Sequence, residues 1–89
     1  MKNDVSKISV SVIVDHTDRT TTVKMSGEKM PVSFIQTVSK SAYLSALRDA
    51  AFYLLDKAAA LDEKNQYDTR AQIVKMFEEH RGFNEKELV

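Results

Sequence analysis

Asp15, His16, Thr17 and Asp18 make the densest run of chemically capable side chains in this 89-residue chain. An imidazole between two carboxylates could ligate a divalent cation or exchange protons with a substrate. The same residue types also build short loops, because their side chains hydrogen-bond nearby backbone. No second set of ligands with metal-site spacing occurs in the sequence, so the loop reading prevails and no metal is assigned. His80 stands beside Arg81 at the end of a helical pattern, where a cation meets the partial negative charge of a helix C-terminus. Serines are frequent, but none sits in the sharp Gly-flanked turn of a nucleophile elbow. Gly27 and Gly82 are the two glycines, too few for a loop that cradles phosphate. There is no cysteine, which excludes a thiolate nucleophile, a Cys-ligated metal and a disulfide framework. The expectation is a protein that is not an enzyme and carries no cofactor.

The totals narrow the partner classes. Thirteen basic and 13 acidic residues give a formal net charge of zero. Neither the positive excess of a strong nucleic-acid binder nor the negative excess of a DNA mimic is present. A composition that is 43% hydrophobic and 29% charged belongs to a globular domain, and the length suits one domain, residues 1–89. The start of the chain has no uninterrupted apolar stretch, and no run is long enough to span a membrane. With no cysteine in so small a domain, a cytoplasmic setting is expected.

The positioning elements follow from periodicity. Val10, Val12 and Val14 alternate with Ser9 and Ser11, and Ile13 falls on the polar parity. Thr21, Val23 and Met25 alternate with Thr20, Thr22 and Lys24, and Val32 and Phe34 alternate with Ser33 and Ile35. Period two with β-branched residues predicts three strands, at about residues 5–14, 20–26 and 30–37, each with one buried face. Short connections predict an antiparallel meander. A loop of residues 16–19 would set Val14 opposite Thr21, Val12 opposite Val23 and Val10 opposite Met25. A loop of residues 26–29 would set Met25 opposite Met30 and Val23 opposite Val32. Pro31 then falls inside the third strand, and its missing N–H makes that strand an edge.

Residues 41–64 contain no Gly or Pro and are rich in Ala and Leu, which predicts a long helix over about 40–64 with Ser39 or Ser41 as its cap. Leu44, Leu47, Ala51, Leu54, Ala58 and Leu61 share one face. Such a helix should overhang the sheet. A second helix, over about 68–82 with Asp68 as cap, carries Ile73, Val74, Met76 and Phe77 on one side. Gly82 suits a left-handed stop, with Phe83 closing on Phe77. The fold class is therefore α+β in the order β-β-β-α-α, a three-stranded meander covered on one face by a long helix, then a shorter antiparallel helix.

The long helix is apolar beyond a single face, and Phe52 and Tyr53 do not both fit a core role. With Arg48 and Asp56 they form the expected partner-binding set, since aromatics flanked by charge are common interface anchors. The functional expectation is a small protein that binds another macromolecule, an accessory or inhibitor of the kind phages and mobile elements encode, with homo-oligomerisation open. The alternative is a dimeric nucleic-acid-binding regulator using Lys7, Arg19, Lys24 and Lys29 on the polar sheet face. Its strand-helix-helix order resembles the ribbon-helix-helix repressors, with residues 30–36 as the ribbon. Two extra strands and a longer first helix separate this chain from that pattern.

Overall fold

The structure, a computed structural model, describes residues 10–27, 31–61, 69–80 and 82–83. The expected start of the first strand with Lys7, Lys29 and Met30, the 62–68 connection with Asp68, Arg81 and the 84–89 tail lie outside the described residues.

The strands are β1 Val10–His16, β2 Thr20–Gly27 and β3 Ser33–Ser39, in one antiparallel sheet of order β1-β2-β3. A 3-10 turn, Lys40–Ala42, leads into α1 Tyr43–Leu61, and α2 Thr69–Phe77 follows. The chain is an α+β fold of order β-β-β-α-α. No helix among the described residues is long and apolar enough to cross a membrane.

Both hairpins differ in register from expectation. Val14 pairs with Val23, Val12 with Met25 and Val10 with Gly27, a shift of two residues. The cause is a tighter turn. Thr17 N–H donates to the Thr20 carbonyl at 2.9 Å, and the Thr17 hydroxyl accepts from Thr20 N–H at 3.0 Å and from Arg19 N–H at 3.3 Å. Asp15 and His16, expected in or beside the loop, are therefore strand residues. In the second hairpin Gly27 N–H donates to the Val32 carbonyl, and Met25 pairs with Phe34 and Val23 with Gln36. Pro31 lies in the loop before β3 rather than inside the strand, so β3 is an edge for topological reasons and not because of Pro31. Both shifts are even numbers of residues, so the inner face keeps its residues.

That inner face, with Val23 and Met25 at its centre, packs under Ala46, Leu47, Ala50, Ala51, Leu54 and Ala58 of α1. Small residues along the helix let it sit close to the sheet. Tyr53 and Asp49 of α1 both reach β3, whereas Leu44 lies against Gly82 at the end of the α2 segment. At about 100° per residue these are opposite flanks of α1. The second helix thus lies beside α1 on the flank away from β3, burying Ile73, Val74 and Phe77. Nineteen residues at ~1.5 Å each make α1 about 28 Å long, against about 26 Å for the eight residues of β2, so the expected overhang is small.

The helix ends divide. Ser39 is the residue before the 3-10 turn but makes no capping bond; its hydroxyl shares a 3.2 Å hydrogen bond with that of Ser41 instead. Lys40 N–H donates to the Arg19 carbonyl at 3.1 Å, which ties the start of the helical region to the first turn. At the C-terminal end the local features hold but the helix is shorter than the expected 68–82: Gly82 has φ +85° and the rings of Phe77 and Phe83 are 5.4 Å apart, yet Gly82 lies five residues past the last helical residue. Helix α2 itself stops at Phe77, and His80 lies in the turn beyond it, its N–H donating to the Phe77 carbonyl at 3.0 Å.

Candidate functional site

The Asp15–Asp18 cluster is dispersed by strand geometry. Asp15 pairs with Thr22 and belongs to the outer face; His16 is one residue on and belongs to the inner one. His16 Nδ1 shares a 2.8 Å hydrogen bond with the hydroxyl of Thr21, which is fully buried. The His16 ring meets Tyr43 edge-on at 5.3 Å. His16 is itself exposed, so the imidazole lies at the rim of the core, over Thr21. Among the described residues no group of three or more His, Asp or Glu could hold a metal ion.

The partner-binding residues separate as well. Tyr53 is half-buried: its hydroxyl accepts from Ser33 N–H at 3.1 Å, its ring lies 5.6 Å from that of Phe34, and Lys57 Nζ sits 5.5 Å over the ring. The cover on Tyr53 comes from β3 and not from the second helix. Phe52 remains 42% exposed. It is two residues from both Ala50 and Leu54, about 200° round the helix, so it points away from the sheet. Arg48 and Asp56, both exposed, stand one turn before and one turn after it on the same side. An apolar ring is thus bracketed by a cation and a carboxylate, with exposed Ser45 and Ala59 beside it.

Of the basic residues of the nucleic-acid alternative, Arg19 is exposed at the tip of the first hairpin and Lys24 on the outer sheet face. Five residues of extended strand separate them by roughly 16 Å. Lys24 is flanked across the sheet by Ile13 and Ile35, which are 51% and 69% exposed. The rest of that face is Ser, Thr and Asp15, and no aromatic lies on it among the described residues. The row Ile13–Lys24–Ile35 was hidden from sequence reading because it depends on two registers at once. The contact of Tyr53 with Ser33 spans 20 residues and has no local signal. No protein family, curated protein or solved structure matches this chain.

Proposed function

We propose that this protein is a non-enzymatic binding module whose partner is another protein, seated on the outward side of α1 over Phe52. The observation that carries this reading is the exposure of Phe52 on a helix otherwise packed with alanine and leucine. An exposed aromatic between Arg48 and Asp56 offers an apolar anchor with polar groups for orientation, the combination that dominates many interfaces. Tyr53 contributes indirectly, by fixing the rotation of α1 against β3 through Ser33. The absence of cysteine suits a cytoplasmic setting. A role as an accessory or inhibitor protein of a phage or mobile element agrees with the small size and the lack of a catalytic set.

The test is affinity capture of the tagged chain from its native host, with Phe52→Ala alongside. The wild-type chain is expected to retain a protein that Phe52→Ala loses while its circular dichroism is unchanged. Identical captures by both would sink the reading. Filter binding to DNA and RNA at low salt separates the alternative, since phosphate contacts weaken steeply as salt rises.

A further inference from the structure

The hydrogen-bond pattern of the sheet determines which backbone groups of β3 face outward. Gly27 N–H meets the Val32 carbonyl at one end of the β2–β3 pair, and Lys40 N–H meets the Arg19 carbonyl at the other. Hydrogen-bonded pairs alternate along an antiparallel ladder. With the observed register, Phe34, Gln36 and Val38 turn their backbone groups toward β2. Ser33, Ile35, Thr37 and Ser39 turn theirs away from β2, to an edge that no other described strand pairs with. The Tyr53 hydroxyl on Ser33 N–H agrees with this assignment, because that N–H must point away from β2 to be reached.

We propose that this edge is a self-association surface: two copies of the chain pair antiparallel through β3, about a two-fold axis at Gln36, into one continuous six-stranded sheet. The strand Ser33–Ser39, SFIQTVS, is self-complementary about its centre. In this register Phe34 meets Val38 of the second copy on the inner face, Ile35 meets Thr37 on the outer face, and Ser33 meets Ser39, where the Ser33 N–H stays with Tyr53 and only its carbonyl is left to accept from Ser39 N–H. Ile35 and Thr37 then form the hydrogen-bonded pairs, which is what their outward backbone groups require. Ile35, the most exposed large apolar side chain among those described, gains a β-branched neighbour.

The side chain on the axis fits too. Gln36 Nε2 donates one hydrogen to Asp49 Oδ2 at 3.1 Å, leaving a second N–H and the amide oxygen. Two such amides facing each other can bond reciprocally. The strand also lacks the usual guards against edge pairing, having no charge, no proline and no break in register. The other edge strand, β1, ends in Asp15 and His16. Asp49 stands over Gln36 in each copy, so added salt screens their mutual repulsion and should tighten the pair.

The test uses the full chain in analytical ultracentrifugation. The wild type is expected to sediment at twice 10.1 kDa as concentration rises. Thr37→Pro removes an N–H that points outward and leaves the β2–β3 ladder intact, so it should return the monomer mass with an unchanged circular dichroism spectrum. Gln36→Cys places the chain's first thiol on the axis, where facing Cα atoms are about 4.5 Å apart, within disulfide range, and should cross-link under mild oxidation. Lys24→Cys, on the central strand, should not. A wild type that stays monomeric, a dimer that survives in folded Thr37→Pro, or a Gln36→Cys chain that does not cross-link would each overturn the proposal. If Thr37→Pro fails to fold, the cross-link decides. Phe52→Ala should leave the dimer intact, so this proposal and the partner reading fail separately.

Discussion

His16 illustrates how one residue can look chemical and act as structure. The Thr21 hydroxyl is buried with no exposure, and the imidazole of His16 is its partner. Removing the partner of a buried hydroxyl leaves it unsatisfied, whereas replacing the hydroxyl itself by a similar apolar shape does not. His16→Ala should therefore lower stability by about 1–3 kcal/mol and Thr21→Val by less than about 1 kcal/mol. Urea unfolding of both variants checks the order, and the reverse order would mean that the His16–Thr21 hydrogen bond adds little and that Thr21 matters through its own packing. The residue types in this stretch were legible as polar and turn-like. What was not legible was the parity that splits Asp15 from His16, since it depends on how tightly Thr17 closes the turn.

At the scale of elements, the helix termini differ in how much of their geometry is local. The turn that follows α2 reverses through a left-handed residue at Gly82, and Gly at that position announced it. A Cβ there would meet Leu44 Cδ2 at 3.4 Å, an ordinary contact, so the cost of a side chain is backbone strain and not crowding. Gly82→Ala should cost about 1–2 kcal/mol and Gly82→Asn less, because Asn tolerates the left-handed region. Thermal unfolding of the two separates strain from packing, since equal losses would point to packing. The start of the helical region carries no such local signal. Ser39 turns to Ser41, and Lys40 is held by Arg19, 21 residues earlier. Element types and inner faces were thus readable from period and composition, because a strand that alternates has one dry side whatever its register. The registers themselves were displaced, because Thr17 and Gly27 set the loop lengths through turn hydrogen bonds that residue patterns do not encode.

The fold is a two-layer slab, 44 × 26 × 17 Å, in which both helices among the described residues pack on the same side of the sheet. A chain of this length buries a small core, and here alanines supply much of it: Ala46, Ala50, Ala51 and Ala58. Close approach of α1 compensates for their small size, and the Tyr53–Ser33 and Gln36–Asp49 bonds hold that approach along β3. The order of layers and the polar outer face of the sheet were legible at this scale; the rotation of α1 that covers Tyr53 and leaves Phe52 exposed needed three dimensions.

The alternation of backbone bonds across the sheet has a consequence in time. Every β2 amide lies inside a ladder, even-numbered ones toward β1 and odd-numbered ones toward β3, while each edge strand has only every second amide engaged. In deuterated solvent β2 should therefore exchange as a uniformly slow block. In the monomer β3 should exchange in a comb, slow at Phe34, Gln36 and Val38 and fast at Ile35, Thr37 and Ser39. Ser33 should fall out of step with the fast set because Tyr53 holds it. A β3 with no comb in the monomer would contradict the register, and a comb that fills in as concentration rises would register the second copy arriving.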